Sequence, residues 1–189
     1  MNKTFNIIIS GVGGQGLITL TKIIAEACRI EKKDVKTSEL HGLSQRGGSV
    51  QTHIRFGERV WSPLITENKA DLIIGLEITE ALRNIFYLKP EGAVISDKYQ
   101  LFYPDALDKE EAIKKINSIS IKRKYLIDAL SVCKDKLDSE VVSGIYLLSI
   151  GVFNKIIPLS ADSVIEAIEK IVPEKYVELN KKAFKLSKQ

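Results

Sequence analysis

The chain has 189 residues, 44% hydrophobic and 28% charged, a balance that excludes a disordered polymer and suits one globular domain spanning residues 1–189. At this length folding buries roughly 70% of the unfolded surface, so neither a disulfide nor a metal is needed as a staple. The net charge of +4 is scattered, densest at Lys181, Lys182, Lys185 and Lys188, and reads as a solvated helix face; nucleic-acid binding would want clustered arginines and aromatics.

Phe5–Ser10 is an Ile-rich run ending at glycines, the pattern of a buried strand. Gln15 to about Glu31 follows as a helix, with Leu17, Leu20, Ile24, Ala27 and Cys28 on one face. Asp34–Glu39 reads as a second strand, and Leu40–Gly48 as a polar segment with too little apolar content for a core. Ser49–Phe56 alternates as a half-exposed strand does, with Arg59–Trp61 expected to pair with it across Gly57-Glu58 as a hairpin. Asp71–Leu76 is another continuous apolar strand, followed by a helix expected to run to about Leu88 and stop at Lys89-Pro90. Ala93–Ser96 and Tyr125–Ile127 read as strands. Helices are predicted over Leu107–Ile116, Leu130–Leu137, Glu140–Phe153, Asp162–Ile171 and Glu174–Leu186, the last with Pro173 at its start. Strands alternating with helices predict an α/β fold: three-layer, Rossmann-like, with a mainly parallel sheet, an antiparallel hairpin and helices on both faces.

No signal peptide is expected, since Lys3 precedes a short Ile run without a cleavage site. The longest apolar stretch, Val141–Phe153, falls short of the ~20 residues of a membrane span and reads as a buried helix. The two cysteines, Cys28 and Cys133, lie in no C-x-x-C pair. An iron–sulfur cluster takes four thiolates and a structural zinc four Cys or His ligands, so one copy is expected to hold neither, and no metal site is assigned. Cys28, among Ile23, Ile24, Ala27 and Ile30, reads as a small core hydrophobe. Unpaired cysteines of this kind suit a cytoplasmic protein.

Gly11-Val12-Gly13-Gly14-Gln15-Gly16 matches G-x-G-x-x-G between a strand and a helix. Such glycines permit a tight turn and close backbone approach, and a helix N-terminus favours an anion. Glu39 falls about where a ribose-binding acid belongs, so a dinucleotide site and a packing turn that binds nothing both remain open. A phosphate-binding P-loop is excluded, because no G-K-[ST] follows.

From the second strand the chain enters a polar loop rather than a helix. This stretch gathers Glu39, His41, Gly42, Gln45, Arg46, Gly47, Gly48 and Ser49, a composition suited to recognition, with Arg46 able to grip a carboxylate or phosphate bidentately. A general base needs an orienting acid, and Glu39 is two residues from His41 without a clear bearing on it; His41 reads as a hydrogen-bonding or interface residue. His53, alternating within a strand beside Thr52, reads as a surface or interface residue rather than a ligand. Glu77/Glu80 and Glu110/Glu111 read as helix-surface acids.

Together Gly11–Gly16 and Ser38–Val50 resemble the gamma-type domain of the 2-oxoacid:ferredoxin oxidoreductases, above all its indolepyruvate branch. The family carries G-V-G-G-Q-G, then a stretch like S-E-V-H-G-M-x-Q-R-G-G-S-V, with Leu40 and Leu43 here for Val and Met. Ala70-Asp71-Leu72 to Glu77 resembles its A-D-x-x-x-G-x-E strand end, and Pro173-Glu174-Lys175 with Leu179–Phe184 its closing helix. Ser143 stands where the family often has Asn.

The resemblance implies a subunit that carries no catalytic residue alone. It binds no cofactor itself: thiamine diphosphate, Mg2+ and iron–sulfur clusters reside on a larger partner subunit, with coenzyme A as co-substrate and ferredoxin reduced through the complex. Gly11, Gly13, Gly14, Gln15 and Gly16 are then expected at a cofactor or ligand edge, and Glu39–Ser49 at a partner or substrate edge. A homodimer in isolation is compatible with this reading; nucleic acid and membrane are not expected partners. The alternatives are a gamma subunit for pyruvate, 2-oxoglutarate or branched-chain oxoacids, a stand-alone nicotinamide or flavin oxidoreductase, and a non-catalytic nucleotide-binding module.

Overall fold

In the computed structural model, which describes residues 4–41, 47–102 and 107–188, the strands are β1 (Phe5–Val12), β2 (Asp34–His41), β3 (Ser49–Gly57), β4 (Ala70–Gly75), β5 (Leu88–Asp97) and β6 (Arg123–Ile127). The helices are α1 (Leu17–Ile30), α2 (Ile78–Arg83), α3 (Lys109–Ser118), α4 (Ala129–Leu137), α5 (Ser143–Phe153), α6 (Ala161–Ile171) and α7 (Glu174–Lys185), with short 3-10 turns at Ile85–Tyr87 and Leu186–Lys188. One six-stranded sheet has the order β2-β3-β1-β4-β5-β6. β1, β4, β5 and β6 are mutually parallel, while β3 runs antiparallel to both of its neighbours, β1 and β2.

The apolar runs of β1, β4 and β5 follow from burial on two faces. Ile7, Ile9, Leu72, Ile74, Ala93 and Ile95 pack with α1 and α4–α7, whereas Ile8, Ile73 and Val94 face the opposite side with Ile65 and Leu88. On that second side Ile78 and Ala81 of α2 meet Ala112 and Ile116 of α3. α5 has Leu147, Leu148, Ile150 and Val152 all buried, as an apolar run too short to span a bilayer should in a three-layer protein. Among the described residues no helix is long and apolar enough to cross a membrane.

Helix starts follow side-chain chemistry. Asp108 Oδ1 accepts the N–H groups of Glu110 (3.0 Å) and Glu111 (3.3 Å) ahead of α3, and Ser160 Oγ accepts that of Ser163 (3.1 Å) ahead of α6. Glu110 and Glu111 lie at the exposed first turn of α3, where acids complement the helix dipole. α2 lies unusually close to β4: a Cβ on Gly75 would stand 2.5 Å from the Ala81 Cβ, so only glycine allows the approach.

The structure departs from the sequence reading at three places. The Arg59–Trp61 hairpin does not form, because both edges of β3 are taken, from Phe5↔Phe56 to Val12↔Ser49 on one side and Asp34↔Gly57 to His41↔Val50 on the other. Residues 58–62 instead bend away, with the Val60 N–H given to Asp34 (2.7 Å) and the Arg59 guanidinium 3.9 Å from the centre of the exposed Trp61 ring. The helix after β4 ends at Arg83, and β5 begins at Leu88, ahead of Pro90. The register shift between Ala70 and Leu72 lets the proline sit where no ladder donor is required.

Third, β3 is an interior strand and His53 is buried, 1% exposed. Its Nδ1 accepts the Ile65 N–H at 2.9 Å, which leaves Nε2 protonated. The Gln51 amide lies 2.7 Å from Nε2, and it therefore presents its oxygen there as acceptor. Burial, with a smaller push from Arg55, lowers the His53 pKa below 6.5. The folded state holds His53 neutral while the unfolded chain takes a proton below pH 6.5. Its contribution is therefore present above that value and lost as pH falls. The unfolding free energy measured by urea titration should drop between pH 7 and 5.5, by at most about 1.4 kcal/mol per pH unit from this residue. The His53→Gln variant should be less stable at pH 7 and show a flatter profile over the same interval.

Candidate functional site

The carboxyl ends of β1 and β4 and the start of β3 meet at one edge of the sheet. The β1–α1 turn carries Gly14 at φ 108° and Gly16 at φ 80°, both in the left-handed region that glycine tolerates, and Gly16 is the residue from which α1 starts. A Cβ at either position would meet nothing within 4 Å, so these two glycines serve the turn of the chain and leave open space beside it.

Gly11 and Gln15 do something different. Gln15 Oε1 accepts the Val12 N–H at 2.7 Å, and its Nε2 donates to the Leu76 carbonyl at 3.1 Å, so the amide bridges the ends of β1 and β4. A Cβ on Gly11 would lie 2.7 Å from that Oε1 and 3.1 Å from the Leu76 Cβ. Gly11 is thus glycine because the Gln15 amide occupies the space above it. Gln15, expected at a ligand edge, has both ends of its amide engaged within the fold.

Two further links close a ring. Gly13 donates its N–H to the Gly48 carbonyl (2.9 Å) and accepts that of Gly47 (3.3 Å), joining the first loop to the second. Ser49 Oγ donates to Glu80 Oε2 at 2.5 Å, joining the second loop to α2. With the Leu76 N–H on the Ser10 carbonyl (2.8 Å), the segments 10–16, 47–49 and 76–80 form one hydrogen-bonded unit.

Glu77 and Glu80 are therefore not surface acids; they are 1% and 4% exposed. The burial follows from Gly75, which draws α2 onto β4. Glu77 Oε2 caps α2 by accepting the Glu80 N–H (2.7 Å), while its Oε1 is buried without a hydrogen-bond partner among the described residues, and burial raises the carboxyl pKa. Glu80 Oε1 pairs with Arg83 at 3.1 Å. The sequence signal was available in position rather than composition: an acid directly after a buried strand, three residues before another, is a helix-capping arrangement at the sheet's ligand edge.

Beside this ring lies a cleft of about 500 Å³ lined by Gly13, Gly14, Gly16, Leu17, Ile18, Glu39 and Val50. Glu39 is exposed and is the one ionisable group of this lining among the described residues. β3 lies between β1 and β2, with Glu39 opposite Thr52 and Thr52 opposite Ile9. The acid is therefore about one strand spacing, ~4.8 Å, further from the glycine loop than in a dinucleotide fold, where the two strands are adjacent. A second, apolar cavity of about 380 Å³ flanks the same first turn of α1, lined by Gln15, Gly16, Thr19, Val141, Tyr176 and their neighbours. Of the second loop, the His41 side chain, Gly42, Gln45 and Arg46 lie outside the described residues.

Both cysteines sit in the core. Burial pushes the Cys28 thiol up to about 12 and the Cys133 thiol up to about 11, the latter with help from Asp97. Neither offers a thiolate, so these residues do not fit an iron–sulfur cluster.

A mixed sheet with one inserted antiparallel strand, helices on both faces and this looped edge is the architecture of oxoacid oxidoreductase gamma subunits. Residues 6–189 match the pyruvate ferredoxin/flavodoxin oxidoreductase family, and the chain belongs to it. It is 34% identical to the indolepyruvate oxidoreductase subunit IorB of Pyrococcus horikoshii, over 97% of this chain and 94% of that one. The keto/oxoacid ferredoxin oxidoreductase gamma subunit of Geobacter sulfurreducens superposes with a TM-score of 0.73 at 25% identity, covering 96% and 95% of the two chains. The whole chain also superposes on 31% of a longer one, the 2-oxoglutarate:ferredoxin oxidoreductase of Magnetococcus marinus, solved with 2-oxoglutarate, coenzyme A and succinyl-CoA. The TM-score there is 0.74 at 20% identity, a likeness of fold alone.

The amide bridge gives a direct test. Gly11→Ala should cost about 1–3 kcal/mol in urea denaturation, through the methyl's clash with the bridging amide. Gln15→Ala should cost about 1–2 kcal/mol for two lost hydrogen bonds. The double variant should fall short of their sum, because the shortened side chain frees the space the methyl needs.

Proposed function

We propose that the chain is the small subunit of a heteromeric 2-oxoacid ferredoxin oxidoreductase of the indolepyruvate type, folded as a single domain and inactive without its large partner. The reading is carried by likeness to IorB over nearly the whole chain, joined to an edge of backbone and anchored loops rather than reactive side chains. The match to less than a third of the longer Magnetococcus chain fits the same view, in which the remaining machinery lies on another polypeptide.

Thiamine diphosphate, held by the partner, supplies the carbanion chemistry, and partner clusters carry the electrons to ferredoxin. This chain's residues supply position and shelter. The ring of segments 10–16, 47–49 and 76–80 presents a preorganised wall against the large subunit. The cleft at Gly13, Gly14 and Gly16 receives the phosphate-bearing part of coenzyme A, where backbone at the α1 N-terminus favours negative charge. Arg46 and Gln45, on the loop joining β2 to β3, contribute a bidentate cation and an amide for a carboxylate, a phosphate or partner carbonyls. The spacing of Glu39 behind β3 argues against a stand-alone nicotinamide enzyme, which needs that acid beside the first loop.

Co-expression with the large subunit encoded by the same organism should yield a complex on size exclusion that reduces ferredoxin with indolepyruvate and coenzyme A. The purified small chain alone should show no such activity and no micromolar nicotinamide nucleotide binding by calorimetry. Arg46→Ala should cut assembly or turnover roughly tenfold, at the cost of one charged contact, with the isolated fold intact by circular dichroism. Oxoacid oxidation by the lone chain would refute the assignment.

A further inference from the structure

Ser49 and Val50 open β3 with their side chains on opposite faces of the sheet. Val50 lines the glycine-edged cleft. Ser49 points the other way, to Glu80, whose carboxylate is 5% exposed and held at its other oxygen by Arg83. Glu80 is also fixed through its backbone, with its N–H on Glu77 and its carbonyl receiving the Asn84 amide at 2.9 Å. The acceptor is rigid and the donor lies on the loop side, so the bond transmits position from α2 to the loop. Between them stands Gly48, whose carbonyl receives the Gly13 N–H on the opposite flank.

We propose that Glu80 is a positioning residue: through Ser49 it fixes the height of Gly47–Val50 against Gly13 and so sets the width of the cleft. The proposal rests on the reading of that cleft as the coenzyme A edge. A purely structural carboxylate would satisfy Arg83 equally well without Ser49; a hydroxyl bond from the first residue of β3 is what adds a geometric demand. Loss of the hydroxyl leaves the Glu80–Arg83 pair in place, so the fold persists while the wall is released.

The test has two arms. In the full-length chain alone, Ser49→Ala should speed amide hydrogen exchange at Gly13 and Gly47 about fivefold, the worth of one hydrogen bond, with the urea midpoint little changed. Ser49→Thr, which keeps the hydroxyl, should restore wild-type exchange. In the reconstituted complex, Ser49→Ala and Glu80→Gln should each raise the KM for coenzyme A about fivefold while kcat stays within about twofold, again with Thr restoring the wild-type value. Unchanged exchange at Gly13 overturns the positioning role. Faster exchange with an unaltered KM overturns the link to the cleft. A wild-type complex lacking coenzyme A-dependent turnover would sink the functional reading instead, and the exchange arm, run on Ser49→Ala and Glu80→Gln alike, decides the positioning role by itself.

Discussion

The site depends on β3 lying antiparallel between β1 and β2. A parallel strand in that place would need a crossover helix, and the chain would leave the carboxyl edge after β2. An antiparallel β3 starts at that edge, which sets Gly47-Gly48-Ser49 directly against the β1–α1 turn. The insertion also converts β1 from a neighbour of β2 into a neighbour of β3. That single change of pairing separates Glu39 from the glycines and replaces a nucleotide's acid-and-loop pair with two loops in contact.

The insertion creates a burden on the other face, where odd-numbered β3 side chains meet the α2 side. Ser49, Gln51 and His53 are polar, and each finds a partner there: Glu80, His53 and the Ile65 N–H respectively. Of the three His53 is buried, through strand position and not hydrophobicity, while Gln51 is half-buried and Ser49 exposed. The same geometry explains the acids at the β4–α2 junction. Gly75 removes the Cβ that would hold α2 away, and the first turn of that helix comes to rest against the sheet with Glu77 and Glu80 enclosed. Polar groups enclosed this way carry desolvation costs that only fixed partners offset. Polar burial concentrates where the edge is built, and the price is visible in Glu77 Oε1, unpartnered among the described residues.

Much of the fold was legible from periodicity and punctuation. The strands rich in Ile and the helices from Asp108 onward announce themselves through two-sided apolar runs and caps, and the observed ends differ by only a few residues. The two loops were legible too, since glycine and polar residues concentrate there, and the structure brings Gly13 to Gly47 and Gly48. What local pattern could not convey is strand order. Alternation of Val50, Thr52, Ile54 and Phe56 suggested one solvated face, because a central strand with a polar second face looks the same in sequence as an edge strand. The surface reading of His53 fell with that one ambiguity, and those of Glu77 and Glu80 with the close approach of α2 at Gly75. Nor does composition distinguish a glycine that binds from one that makes room, and Gln15 shows the difference only when its two hydrogen bonds are seen.

The glycine motif itself illustrates how one sequence pattern carries separate duties. Gly14 and Gly16 are required by backbone angle and Gly11 by the Gln15 amide, while Gly13 joins the loop to Gly47 and Gly48 through its backbone. Gly13, Gly14 and Gly16 border the cleft; Gly11 is an internal joint. A dinucleotide loop uses its glycines chiefly to admit pyrophosphate and to pack helix on strand. Here Gly11 and Gly13 tie the loop to its neighbours, which stiffens the wall beside the cleft. Similar edges can then serve oxidoreductases acting on different oxoacids, provided the reacting groups and the choice of substrate reside on the protein that docks against them.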